Sequence, residues 1–564
     1  MIARHLLTAA VALAWAGAAA AQPAPLLTLK LKPGPADQPD GVGYVDVTVT
    51  APAVQAAAGQ PLLTLPIVVA NTASVADTLT GLQVRDAKGP VPLTIKDDPE
   101  SNSYSRHWLA GRPVAGDLTV TYRAPVDNTP PKRGSGPPYQ LRTEGGGVSG
   151  VGNTFVILPE TKTSHRVAIR WDLTNLAKGS TATSSHGDGD VEIAAGPVER
   201  LSRTVFMAGP LHRQPEASDG HGFSSAWLGE PPFDPKPLMA WTQTLHGWMT
   251  KFFQDPSEPP YRVFIRFNPV NAGGGVAFPN SFMTTYGKTT EGESIKGTLA
   301  HEMTHTWTAT GEGQWYSEGN AVHYQRLLPL RAGLITPAEF LEDLNETASR
   351  YYSNLLNDTA DDQIAPRFWE DTRIRVLPYD RGAMYFAVLD GKIRKASGGA
   401  RSVDDLILKM VRRSRRGESV DEAAWLTLLD GALGAEGLSI HKSMMAGGLM
   451  LPDSDAYGPC FERTTGKVRR FDLGFDPKSL VGNVKTIRGL KPDSEAARAG
   501  LKGGDVVTYA VAMDGLQGQP TTKLTLQVTR DGKTFPLTYL PRGEETEIYQ
   551  WKRVAGVPDD RCAY

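Results

Sequence analysis

Cysteine is scarce in this chain: Cys460 and Cys562 are the only two among 564 residues. That excludes a disulfide-dense scaffold and a zinc site built from thiolates. Charge of one sign is also missing. Lys and Arg number 59 and Asp and Glu 61, for a net charge of -2, so there is no field to draw nucleic acid. Past the N-terminal segment there is no run of ~20 apolar residues, so no stable membrane insertion is expected. No internal repeat is visible, which argues against a solenoid. What is present is globular: 40% hydrophobic and 21% charged residues, in a chain too long for one ordinary domain.

The first residues read MIARHLLTAAVALAWAGAAAAQ. Arg4 and His5 form a basic start, residues 6–16 are apolar, and Ala19, Ala20 and Ala21 make a small-residue cleavage site. This predicts a signal peptide over 1–21 and an exported protein, periplasmic or secreted; a membrane anchor is the alternative. In an oxidising compartment two thiols pair, so a Cys460–Cys562 disulfide is expected, with two buried thiols as the alternative.

Residues 22–232 carry short alternating runs such as LLTLKLKP, GYVDVTVTAP and HRVAIRWDL, punctuated by Gly, Pro, Asp and Asn. The pattern predicts a β-sandwich-like domain. The polar stretch 179–190 reads as a loop, the tip of a long hairpin. From 233 to 455 the period changes. Leu238, Trp241, Leu245, Trp248, Met249 and Phe252 recur at helical spacing. Thr336, Pro337 and Glu339 spell a helix start, as does Ser402. Residues 456–564 return to short strands and glycine turns.

The chemistry concentrates in 296–324, KGTLAHEMTHTWTATGEGQWYSEGNAVHY. On a helix His301 and His305 lie about 40° apart, one turn along the axis, so both imidazoles reach one Zn²⁺ at ~2.0–2.1 Å. Glu302 follows the first ligand and is placed to take a proton from an attacking water. A catalytic zinc wants a third protein ligand, and Glu318 supplies the candidate, with Ser317 as the cap of its helix. A structural zinc site is the alternative. Thr306 and Asn320 are candidates for supporting the ligands. His323, five residues past Glu318, points elsewhere and reads as a packed histidine.

HEMTHTW followed by WYSEGNAVHY resembles the glycyl aminopeptidase family of gluzincin zinc metallopeptidases. The resemblance implies a thermolysin-like, mostly α-helical catalytic domain over 233–455. It implies one Zn²⁺ per chain held by His301, His305 and Glu318, with Glu302 as general base. VLPYDRGAMYF is similar to the PYxxG segment of related aminopeptidases, which makes Tyr379 the donor to the developing oxyanion. NAGGGVAF matches the position of the glycine-rich edge strand that holds substrate backbone: Gly273, Gly274, Gly275, Val276 and Ala277. The family often has a Glu for the free amine where Ala277 stands; Glu291 and Glu293 are the nearby acids that could replace it.

FDLGFDPKSL and KPDSEAARAGLKGGDVV resemble a PDZ domain. Leu473, Gly474 and Phe475 then occupy its carboxylate-binding loop, and a C-terminal peptide becomes a candidate ligand. The fold expected is therefore multidomain α+β: β-sandwich-like, thermolysin-like and PDZ-like units in that order. The function implied is an exported zinc aminopeptidase acting on peptides or proteins and preferring small N-terminal residues, Gly or Ala. An endopeptidase with the same machinery and a non-catalytic PDZ-bearing scaffold are the alternatives.

Overall fold

The computed structural model describes residues 23–563 apart from 36–40, 130–135, 217–221, 258–259, 270–271, 309–313 and 483. The signal peptide expected over 1–21 lies outside the described residues. In the N-terminal region alternation decides which face is buried. Leu27, Leu29 and Leu31 point inward on Leu26–Pro35, and Val45, Val47 and Val49 do so on Val42–Ala56. The antiparallel register sets Leu29 opposite Val49 and Leu31 opposite Val47, so one apolar face forms. These two strands sit in a seven-stranded sheet. Two five-stranded sheets share its core, through Leu63, Leu65 and Trp108 from one and Val148 and Phe206 from the other.

Residues 181–188, expected as the loop at a hairpin tip, form a short hairpin that is itself paired into a sheet and largely buried. Thr181–Ser184 pairs with Gly187–Asp188 and with Val205–Gly209. Its small hydroxyls bury because they are bonded: Ser185 Oγ accepts from Val205 N at 3.0 Å.

The middle region contains a five-stranded sheet in the order His212–Gln214, Phe223–Trp227, Tyr261–Phe267, Ser281–Tyr286, Gly275–Phe278. Phe223–Trp227 pairs in parallel with Tyr261–Phe267. The boundary expected at 232 therefore cuts a continuous sheet, and the unit begins near residue 212. Helices follow: α1 (Pro235–Phe252), α2 (Lys296–Thr308), α3 (Trp315–Arg331), α4 (Pro337–Tyr352), α5 (Thr372–Arg375), α6 (Leu377–Ala396), α7 (Val403–Arg415) and α8 (Glu422–Met445). Their starts are set as the sequence indicates. Thr336 and Glu339 close a capping box on α4, and Ser402 and Asp405 another on α7. No helix among the described residues is long and apolar enough to cross a membrane.

At the C-terminal end, α9 (Glu495–Arg498), α10 (Met513–Gly518) and a sheet of Val506–Thr508, Leu524–Arg530 and Lys533–Tyr539 enclose a separate core around Leu473, Phe475, Ile487 and Leu526. The ribbon Phe461–Phe471 paired with Arg542–Arg553 joins this unit to the helices. Its base belongs to the helical core: Phe461, Ile548 and Trp551 pack there with both cysteines. Cys460 and Cys562 form the expected disulfide. The Asn345 side chain on α4 brackets Trp551, donating to its carbonyl and accepting from its N–H, both at 2.8 Å.

The disulfide closes a segment of 102 residues whose base is buried in the helical core. Replacing both cysteines by Ser is expected to cost about 2–5 kcal/mol of stability, read from urea unfolding under non-reducing conditions.

Candidate metal and catalytic site

Three ligand atoms converge between α2 and α3. His301 Nε2 and His305 Nε2 lie 3.2 Å apart, and Glu318 Oε2 is 3.4 Å from each. All three side chains are almost fully withdrawn from solvent. A tetrahedral cation with ligands at ~2.0–2.1 Å has ligand-to-ligand edges of about 3.3–3.4 Å. The donor set therefore fits one small divalent ion. Glu318 answers to two opposed influences. Burial acts most strongly and opposes its charge, but the two imidazoles together outweigh it and hold its pKa down to about 2. For Glu302, also buried, burial wins and its pKa is raised despite the neighbouring imidazoles.

Each imidazole is oriented from behind. His301 Nδ1 donates to Gln325 Oε1 at 3.1 Å. Gln325 Nε2 in turn donates to Asp343 Oδ2 at 2.8 Å, and Asp343 pairs with Arg326 at 2.7 Å. His305 Nδ1 lies 3.2 Å from Ser317 Oγ. The Gln325 contact makes Nδ1 the protonated nitrogen of His301, and both contacts, made through Nδ1, leave Nε2 of each ring facing the ion site. Ser317 is not the helix cap, since α3 starts two residues earlier with Gln314 as its cap. Thr306 and Asn320 do not support the ligands; Thr306 meets Tyr261 and Asn320 donates to the Tyr316 carbonyl. His323 packs against Tyr324 and Phe386, where burial pushes its pKa down to about 3.

Two glycines explain how α6 reaches the site. A Cβ on Gly319 would lie 2.6 Å from Gly382 Cα, and one on Gly382 would lie 2.7 Å from Gly319 Cα. The glycine after Glu318 and the glycine of PYDRG thus interlock, backbone against backbone. This brings Tyr379, near the start of α6, over His301, with ring centroids 5.9 Å apart and planes within 16°. Its neighbours are structural. Asp380 makes a doubly bonded ion pair with Arg350, and Arg381 donates to the Thr359 carbonyl.

The strand Gly275–Phe278 is the edge of its sheet and lies along the same cleft. Gly273, Gly274, Gly275, Val276 and Ala277 all line it with His301, Glu302, His305, Glu318 and Tyr379. The cleft encloses 1140 Å³. At Gly275 the lack of a side chain is required, because a Cβ would meet Glu302 Cγ at 2.8 Å. Thr298 on α2 donates to the Gly273 carbonyl at 2.9 Å, tying strand to helix. Glu291 and Glu293 do not line the cleft; Glu293 pairs with Lys296.

In the loop Leu473, Gly474 and Phe475 the central amide is already engaged. Gly474 N–H donates to Asp472 Oδ1 at 2.8 Å, and the Leu473 carbonyl is taken by Tyr539. Leu473 and Phe475 are buried, and the loop faces Thr372 and Arg373 across a cavity of 180 Å³. Sequence reading missed a different contribution from this unit: part of 510–522, including Asp514 and Gln519, forms a wall of the 1140 Å³ cleft.

No family model matches the chain, and no curated protein matches it by sequence. Among solved structures it is similar to an aminopeptidase N family protein from Idiomarina loihiensis, at 14% identity, over 95% of this chain and 99% of that one, with a TM-score of 0.66. An M1 zinc metallopeptidase from Deinococcus radiodurans matches at 17% identity, over 76% and 94%, with a TM-score of 0.44. Native yeast LTA4 hydrolase matches at 13% identity, over 76% and 68%, with a TM-score of 0.45. The chain shares the fold of the Idiomarina protein over nearly the whole of both.

Removing the support behind a ligand should weaken the ion more than the fold. Gln325→Ala is expected to lower zinc affinity about 10- to 100-fold, measured by competition with a chromogenic chelator. Gly382→Ala, which wedges α3 and α6 apart, is expected to cost about 1–3 kcal/mol of stability in urea unfolding.

Proposed function

We propose that the chain is an exported zinc peptidase that removes small residues from peptide N-termini. The observation that carries the reading is the trio His301 Nε2, His305 Nε2 and Glu318 Oε2 at the edges of one tetrahedron, with Glu302 on the same cleft. The resemblance of HEMTHTW and WYSEGNAVHY to the glycyl aminopeptidase family supports the same activity and the Gly or Ala preference. Export is supported by the N-terminal residue pattern and by the Cys460–Cys562 bridge.

Zn²⁺ bound there supplies a Lewis acid that acidifies water and polarises a carbonyl. The chain's own groups do the rest. The edge strand Gly275–Phe278 takes a peptide in extended form and fixes its carbonyl over the site. Glu302 accepts the proton of the attacking water and returns it to the leaving nitrogen. Tyr379 O–H donates to the oxygen that gains negative charge, a bond stronger in the transition state than in the ground state. Val276 and Ala277 offer no acid for a free amine, which favours an endopeptidase as the second reading.

Zinc-loaded protein is expected to hydrolyse alanine p-nitroanilide, to lose activity with a chelator and to regain it with zinc. Glu302→Gln should lower kcat about 10²- to 10⁴-fold with zinc content unchanged. Tyr379→Phe should lower it about 10²- to 10³-fold with little change in KM. Zinc retained with no hydrolysis of free or blocked peptides would overturn the reading in favour of a scaffold.

A further inference from the structure

The wall of the cleft formed by α4 and the C-terminal unit carries one charge too many. Two carboxylates that line it and one buried behind it are matched by guanidiniums: Asp343 by Arg326 at 2.7 Å, Asp514 by Arg375 at 2.8 Å, and Asp380 of α6 by Arg350 at 2.5 Å. Glu346 is the fourth carboxylate, and no ion pair engages it among the described residues. It lies on α4 one turn after Asp343 and one turn before Arg350, on the face that lines the cleft. Its one hydrogen bond is weak, from Gln519 Nε2 at 3.4 Å.

The C-terminal unit holds this carboxylate in place. A Cβ on Gly518 would lie 2.6 Å from Glu346 Cγ, so the end of α10 packs directly on the side chain. That end is itself fixed. Arg542 donates to the Leu516 and Gln519 carbonyls, both at 2.7 Å, and Gln517 Nε2 donates to Thr372 Oγ1 at 3.0 Å. On the other side, Asp343 is joined through Gln325 to the ring of His301. Glu346 therefore stands three residues, about 4.5 Å along the helix axis, beyond Asp343, the outer member of that relay.

We propose that Glu346, positioned by Gly518 and Gln519 of the C-terminal unit, is the cleft's anchor for a substrate ammonium group. This rests on the peptidase reading. An alkylammonium supplies the missing cation, fits the acceptor-only chemistry of a carboxylate, and is carried by every peptide with a free N-terminus or a lysine. Burial, the strongest influence on Glu346, raises its pKa in the unliganded cleft despite nearby Arg350; a bound ammonium opposes that and favours the charged form. The anchor explains how a free amine is recognised although Ala277 stands where the related enzymes carry an acid. It also makes the third unit a working part of the site.

The test uses full-length, zinc-loaded protein and four substrates: alanine p-nitroanilide, Ala-Ala p-nitroanilide, N-acetyl-Lys p-nitroanilide and the neutral N-acetyl-Ala-Ala p-nitroanilide. Glu346→Gln is expected to lower kcat/KM about 10- to 100-fold, through KM, for substrates bearing the ammonium, and to spare the neutral one. Loss confined to the free-amine pair assigns the anchor to the N-terminus, and loss confined to the lysine substrate assigns it to a side chain. Gly518→Ala, which displaces the carboxylate from the opposite side, should act in the same direction. Equal loss on all four substrates, or no loss beyond about 3-fold on any, with zinc content and unfolding midpoint preserved, would overturn the proposal. Calorimetric binding of alaninamide and N-acetyl-lysinamide to zinc-loaded Glu302→Gln protein separates this from the peptidase reading. Binding of either that disappears with Glu346→Gln keeps the anchor even if no peptide is cut; binding of neither, or binding indifferent to Glu346, removes it.

Discussion

The buried carboxylate of Glu318 between two imidazoles is the arrangement on which the rest of the molecule depends. Taking a carboxylate out of water costs several kcal/mol unless positive charge or donors meet it. Here its partners are the two imidazoles of α2, so the charge is compensated only when α2 and α3 are in register. That register is built from small residues. Gly319 admits the backbone of α6, and Ser317 fills the space behind His305 with a hydroxyl rather than a larger group. A bulkier residue at 317 would press α2 and α3 apart and part Glu318 from its partners, and one at 319 would part α3 from α6. The geometry needed for catalysis and the geometry needed to avoid an uncompensated charge are the same.

A second consequence follows from close approach at Gly275. Edge strands expose unpaired backbone, and most proteins cover or disrupt them. In this fold the edge is set against α2, with Glu302 touching the backbone where a side chain would stand. On the proposed function its free N–H and C=O groups would pair with an extended substrate rather than stand as an aggregation hazard. It lies beside Glu302, and Thr298 of α2 ties the strand to the helix through the Gly273 carbonyl.

How far the sequence disclosed this depends on the range of each interaction. His301, Glu302 and His305 are legible because a helix places i and i+4 on one face, a local rule. Glu318, Tyr379 and the glycine strand were legible through patterned motifs, and the structure brings all of them to one cleft. The caps of α4 and α7 are local and read correctly. The hairpin at 181–188 was read as a loop-like tip, and its burial was missed because Thr, Ser and Gly look solvent-facing; their hydrogen bonds to Val205–Gly209 make that burial tolerable. Ser317 looked like a cap by residue type, but the helix begins earlier and frees it to meet His305. Gln325, Asp343 and Glu346 carry no sequence signature. Their roles arise from α4 lying across α3, a contact between segments that no periodicity encodes.

The least legible feature is the union of the C-terminal unit with the cleft. Its own core of Leu473, Phe475 and Leu526 suggests an independent module, and independent modules usually sit on mobile linkers. This one has two antiparallel connections rather than one linker. Both pack into the helical core, close through Cys460–Cys562 and are bracketed by Asn345. Asp514 and Gln517 then dock α10 against Thr372 and Arg375, one turn of chain before the residues that lead into Tyr379. With the ribbon fixed at one end and α10 at the other, the unit has little freedom to rotate. Its contacts reach the segment that leads into Tyr379 as well as the wall of the cleft. A change in its packing is thereby a change in the width of the cleft, which is why a domain remote in sequence from HExxH belongs in the account of the site.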